Sequence, residues 1–299
     1  MKLGIVGGGA VGLLIAAYLH RMYDVTLYTR RQSQADLLNK SGLRWIKDGK
    51  EKTFFVKAKH IEQSEIDDDV VFITVKQYDL PKLALSANKL QNIPTIIFLQ
   101  NGMGHLPLLN QFCNQNIVLG VVEHGALKYD DRTVEHTGEG KISLAVWKGE
   151  IGGAQCFIEQ PSSHFPFLLK KDWYEMLAMK LAINAVINPL TALLRVRNGQ
   201  LLEVNEYRSM MRLLFDEIQG VLSFPNEQQA WDNIVHVCKK TANNRSSMLK
   251  DIEQGRQTEI DAILGYIIEK GKSMNKQTPL CEFLLHAVKG MERRGSENE

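Results

Sequence analysis

The sequence predicts a doubly wound α/β domain followed by an all-α domain, and three observations carry that prediction. Short unbroken apolar runs alternate with amphipathic stretches through the first half, as in strands buried on both faces of a parallel sheet. A glycine-rich turn follows the first of these runs. From Leu168 onward apolar residues recur at helical spacing with few strand signals. A chain of 299 residues with 44% apolar side chains is ample for two such domains.

Taken in order, LGIVG (3–7), VTLYTR (25–30), VVFITVK (70–76), TIIFLQ (95–100) and IVLGVV (117–122) are expected as parallel strands. RTVEHTGEGKISLAVWKG (132–149) reads as two strands paired antiparallel about a turn near Gly138 to Gly140. The prolines and serines of PSSHFPF (161–167) are loop chemistry, which places domains at 1–166 and 167–299. Helices are expected over 168–195, 202–224, 227–244 and 258–274, with ERRGSENE (292–299) as a frayed, solvated tail.

Charge and cysteine usage narrow the function. Thirty-six Lys and Arg against 34 Asp and Glu leave a net charge of +2, too little for a field that holds nucleic acid. The four cysteines, Cys113, Cys156, Cys238 and Cys281, show no metal-ligand spacing and no disulfide framework, so no metal is expected and a reducing cytoplasmic setting fits. The apolar start, residues 3–19, is interrupted by Gly7, Gly8, Gly9 and Gly12, which argues against an export signal. No other run approaches the ~18 uncharged apolar residues of a membrane span. The helical half has enough apolar surface for a homodimer.

Gly7-x-Gly9-x-x-Gly12 stands between a strand and the helical segment AVGLLIAAYLH (10–20), the setting a Rossmann-type dinucleotide site requires. Gly7 permits the tight turn, Gly9 lets the backbone approach a pyrophosphate, and Gly12 allows close helix–strand packing, with Ala10 and Val11 opening the helix toward the phosphates. An NAD enzyme would offer an acid after the second strand. This chain offers Arg30 and Arg31, which suit the 2′-phosphate of NADP or NADPH. Spacing does not decide between the two arginines.

WYEMLAMKLAINAVINPLTALL (173–194) is apolar nearly all round, yet Lys180, Asn184 and Asn188 recur every four residues and line one face. A lysine buried among apolar neighbours is costly unless paired or neutralised and is usually there for chemistry, so this stripe reads as an active-site wall. Interhelical hydrogen bonding and a snorkelling lysine are the plainer alternative. Asn198 in RVRNGQ is either a turn residue or part of the same site. Ser247, Asp251 and Glu259 lie in NNRSSMLKDIEQGRQTEIDAI (243–263), where Thr258 to Asp261 resembles a helix start and gives Glu259 an ordinary dipole explanation. Lys76 and Gln100-Asn101-Gly102 follow strands, where an open α/β sheet meets its ligand.

The segments GIVGGGAVG (4–12), VKQYD (75–79), QNGMG (100–104), KLAINAVINPLTALL (180–194), RNGQL (197–201) and SSMLKDIEQGRQTEID (246–261) together resemble the ketopantoate reductase family. The resemblance implies a Rossmann domain and a helical domain with the site in the cleft between them, and NADPH-dependent reduction of 2-dehydropantoate to (R)-pantoate, a step toward pantothenate and coenzyme A. It places the catalytic lysine on Lys180 and the motif glutamate on Glu259. Substrate-side residues fall on Asn184, Asn188, Asn198 and Ser247, and cofactor-side residues on Lys76 and Asn101. Glu123, in VVEHGAL (121–127), stands where the family resemblance leads one to expect Thr or another neutral residue. A reductase of another 2-keto acid on this scaffold, or a non-catalytic NADP-binding sensor, are the competing readings.

Overall fold

The computed structural model describes residues 1–85, 87–160 and 163–296. Two compact units are present: Met1–Gln100 with Pro107–Met176, and Asn101–Leu106 with Leu177–Glu299. The division between these units falls inside the helix Trp173–Leu194, and the short segment after Gln100 belongs with the helical unit.

Among the described residues the first unit holds twelve strands: β1 (Lys2–Val6), β2 (Asp24–Thr29), β3 (Leu43–Lys47), β4 (Lys50–Phe54), β5 (Lys57–His60), β6 (Val70–Ile73), β7 (Thr95–Phe98), β8 (Asn116–Val122), β9 (Gly125–Lys128), β10 (Thr133–Gly138), β11 (Ile142–Lys148) and β12 (Phe167–Leu169). Its helices are α1 (Ala10–Leu19), α2 (Gln32–Ser41), α3 (Leu80–Leu85) and α4 (Gln155–Glu159). The main sheet runs β12-β11-β8-β7-β6-β1-β2-β5 and is parallel from β8 to β5. Its order reverses beside β1, so the glycine turn leaves the sheet at a topological switch point. Leu3, Ile5, Val70, Phe72, Ile96 and Ile97 are fully buried, which explains the unbroken apolar runs.

The pairing expected within 132–149 is not formed. β10 lies in a second sheet, β4-β3-β10-β9, whereas β11 joins the main sheet antiparallel to β8. Gly140 makes the crossing: a Cβ there would meet the Glu123 carbonyl oxygen at 2.4 Å. Residues 167–169, expected in the helical half, instead form the edge strand β12 beside β11. Pro161 and Ser162, on which part of the linker expectation rested, lie outside the described residues.

The second unit is helical: α5 (Trp173–Leu194), which begins in the first unit, α6 (Gln200–Glu203), α7 (Asn205–Leu222), α8 (Glu227–Lys240), α9 (Ser247–Glu253), a π-helical turn (Asp261–Gly265), α10 (Tyr266–Ser273) and α11 (Pro279–Ser296). Helix α7 buries Met211, Leu214, Phe215, Ile218, Val221 and Leu222, one apolar stripe. Asn226 caps α8 and Ser246 caps α9 by accepting from the Gln229 and Leu249 amides. The tail expected to fray is helical as far as Ser296, and residues 297–299 lie outside the described set. Helix α5 is long and apolar enough to cross a membrane by length and composition. However, 72% of its most apolar 18-residue window is buried inside the protein, as a core helix requires.

Candidate active site

In the first unit the glycines meet distinct demands. Gly7 has φ +121°, a conformation that side chains disfavour, and a Cβ on Gly12 would lie 2.0 Å from the Gly7 carbonyl oxygen. Gly9 is the N-cap of α1, bears no capping side chain, and a Cβ there would meet nothing within 4 Å. Helix and strand close around Gly12 while the backbone at Gly9 stays open, which fits a pyrophosphate lying on the helix N-terminus above Ala10 and Val11. Gly8, an unspecified position of the motif, is also constrained. A Cβ there would meet the Gln34 carboxamide at 2.6 Å, and that amide is buried and bonded to the Gly8 and Asp131 carbonyls at 2.8 Å each. Thr74 Oγ1 donates to the Val6 and Gly7 carbonyls from behind the turn, at 3.0 and 3.1 Å.

The two arginines after β2 part company. Arg30 pairs with Asp79 at 3.1 Å, in the turn that follows Lys76. Arg31 pairs with Asp131 Oδ1, which also receives Lys128 Nζ at 3.1 Å. Partial burial raises the Asp131 carboxyl pKa, but the hydrogen bonds from Lys128 and Arg31 outweigh it and hold the group below its ordinary range. Lys76 is half-buried at the N-cap of the 3₁₀ turn Gln77–Asp79. Glu123 faces Lys141 at 3.9 Å, so its charge is met at the surface.

In the second unit Lys180, Asn184 and Asn188 lie on one face of α5, with Lys180 half-buried and both asparagines buried. Neither asparagine makes a side-chain hydrogen bond among the described residues, and neither amide is sealed from solvent. Among the described residues, the interhelical bonding that would make them structural is therefore not formed. One turn on, Thr191 Oγ1 donates to Ser246 Oγ at 2.8 Å, tying α5 to the cap of α9. Ser247 follows that cap and is exposed.

Glu259 is buried, and Asn101 Nδ2 donates to its Oε2 at 2.9 Å. The neighbouring Gly102, with φ +78°, lies against the π-helical turn, where a Cβ would stand 2.2 Å from the Ala262 carbonyl oxygen. The helix start expected at Thr258 is present in modified form: Thr258 Oγ1 accepts from the Ile260 amide at 3.2 Å, and the π turn follows. Asn198 is buried apart from this pair, donating to Thr241 Oγ1 at 2.8 Å, while its amide nitrogen donates to the Asn244 carbonyl. Sequence reasoning missed Gln34, Thr74, Lys128, Asp131 and Ser246, whose partners, the local Lys128–Asp131 pair aside, are backbone carbonyls or side chains distant in the chain. Only Ser246 carried a local signal, a serine before a helical stretch.

Residues 3–149 match the family Ketopantoate reductase PanE/ApbA, and residues 172–292 match Ketopantoate reductase PanE/ApbA C terminal. The chain is 41% identical over 295 residues to the 2-dehydropantoate 2-reductase of Bacillus subtilis (strain 168), covering 98% of each. The crystal structure of probable 2-dehydropantoate 2-reductase panE from Bacillus subtilis superposes with a TM-score of 0.89 at 41% identity, over 97% of this chain and 100% of that one. The ternary structure of D-mandelate dehydrogenase with NADH and anilino(oxo)acetate shares the fold, with a TM-score of 0.89 at 23% identity over 99% of this chain and 100% of that one. Glycine turn, polar helix face and these likenesses agree: the chain belongs to the ketopantoate reductase PanE/ApbA family.

Proposed function

We propose that this protein reduces the ketone of 2-dehydropantoate to (R)-pantoate with NADPH, residues 1–166 binding the dinucleotide and 167–299 supplying the substrate and catalytic groups. The observation that carries this reading is the face of α5 on which Lys180 accompanies two buried asparagines whose amides, still open to solvent, make no side-chain hydrogen bond among the described residues. Bound NADPH would supply the hydride. Gly7, Gly9, Ala10, Val11 and Gly12 would hold its pyrophosphate, Arg30 and Arg31 its 2′-phosphate, and Lys76 and Asn101 the end toward the reaction.

The remaining chemistry belongs to the helical residues. Lys180, as the ammonium, donates a hydrogen bond to the substrate carbonyl oxygen and releases its proton there as negative charge develops, a role worth about 10²–10⁴ in rate. Asn184 and Asn188 orient the ketone and hydroxyl groups through amides that need no prior bond to break. Ser247 receives the substrate carboxylate, and Asn198 serves the same end by fixing the 241–244 turn that leads to it. Glu259, held by Asn101, accepts from the substrate hydroxyl. A homodimer is the proposed assembly, for Leu213 on α7 and Phe283 on α11 are large exposed apolar side chains on helices that touch.

The test is oxidation of NADPH by the purified protein with 2-dehydropantoate beside pyruvate, 2-ketoisovalerate and 2-ketobutyrate, with NADH as cofactor control. Turnover confined to 2-dehydropantoate and NADPH is expected. Faster turnover of another keto acid overturns the substrate, and tight NADPH binding without turnover of any favours a sensor.

A further inference from the structure

The turn joining β9 to β10 brings charge to the glycine turn that the reading above does not use. Lys128 Nζ donates to the Gly8 carbonyl at 3.0 Å and to Asp131 Oδ1 at 3.1 Å, and Arg31 Nη2 donates to that same carboxylate oxygen. Gln34 ties the Asp131 and Gly8 carbonyls together through one amide nitrogen. Two cations from distant parts of the chain are thus gathered on one carboxylate beside the dinucleotide turn, leaving the group a net charge of +1. The Lys128 and Asp131 side chains are each 27% exposed and that of Arg31 is 54% exposed, so the cations keep an open side. Arg30 pairs with a different carboxylate, Asp79.

Resting on the NADP reading, we propose that Lys128 joins Arg31 in holding the 2′-phosphate, and that Asp131, their shared counter-ion, sets how strongly the phosphorylated dinucleotide is preferred over the unphosphorylated one. A phosphate dianion carries enough acceptors for both cations, whereas a ribose hydroxyl has no charge to offer them. Asp131 keeps the cations together in the absence of ligand, but its charge opposes the phosphate that arrives. Replacing it with the isosteric amide removes the opposition and frees both cations for the ligand.

The experiment compares dissociation constants of NADPH and NADH, read from nicotinamide fluorescence, for the wild type, Asp131→Asn and Lys128→Gln at low and high salt. The expected result is that Asp131→Asn tightens NADPH about tenfold relative to NADH while Lys128→Gln weakens NADPH about tenfold relative to NADH, both effects shrinking with salt. Equal shifts for the two dinucleotides overturn the proposal, because the residues would then act only through the shape of the Gly8 turn. A wild-type preference for NADPH that neither variant alters overturns this inference alone. A wild type that binds NADH as tightly as NADPH overturns the NADP reading, and this inference with it.

Discussion

Asn101 Nδ2 donates a hydrogen bond of 2.9 Å to Glu259 Oε2, joining residues 158 positions apart in the sequence. The bond fastens the short 101–106 segment to the helical unit at a buried carboxylate, with Gly102 allowing the backbone to lie on the π turn beside it. Asn101→Ala removes a donor from a buried charge and is expected to cost about 1–3 kcal/mol of stability and to lower turnover. Urea denaturation checks this, and a variant as stable as the wild type contradicts it.

The glycine turn separates binding from folding. Gly9→Ala places a methyl where no protein atom lies within 4 Å, so the thermal midpoint is expected to hold while dinucleotide affinity falls. Gly12→Ala drives a methyl into the Gly7 carbonyl, so both are expected to fall. Calorimetry with a binding titration on the two variants checks the split. Equal loss of midpoint in both would show that the opening at Gly9 has no special role.

Acid should weaken the fold through buried imidazoles. Burial pushes His105 down from 6.5 to about 4, and burial with the neighbouring His136 does the same to His124. The Gly140 amide donates to His124 Nδ1, so His136 Nε2 must donate to it as well, and His136 Nδ1 accepts from the Tyr18 hydroxyl. Lys47 opposes a proton on this pair, as burial does, and together they outweigh Glu139, which favours one. Because the folded values lie below the unfolded one, this stability is complete above about pH 6.5 and is lost as pH falls toward 4. Denaturant midpoints at pH 7.5 and 5 should differ in that direction, and a flat profile contradicts the account.

His105 is 1% exposed, and neither ring nitrogen has a hydrogen-bond partner among the described residues. His105→Leu is expected to be neutral or to stabilise by about 1 kcal/mol at pH 7, and to flatten part of the acid slope. A loss above about 2 kcal/mol, measured by urea denaturation, would reveal a buried partner.

Much of this was legible in the sequence. Continuous apolar runs announced the parallel strands because both of their faces are covered. The second sheet was not legible, since four of the five β4 residues are exposed and β10, besides its hairpin with β9, pairs with β3 far away in the chain. The α5 face could be read because four-residue spacing on an apolar helix is a local signal. The Asn101–Glu259 pair could not, nor the gathering of Arg31, Gln34 and Gly8 about Lys128 and Asp131, because nothing near these residues marks a partner so far away in the chain. Glu259 alone had an adequate explanation as a helix-start acid, and only the fold shows what holds it.

The central claim is that Lys180 delivers the proton in an NADPH-dependent ketone reduction. Single-turnover oxidation of NADPH with 2-dehydropantoate by Lys180→Ala, beside NADPH affinity measured on the same sample, tests it most directly. A loss of about 10²–10⁴ in rate with affinity unchanged is expected. Near-wild-type turnover would remove Lys180 from the chemistry.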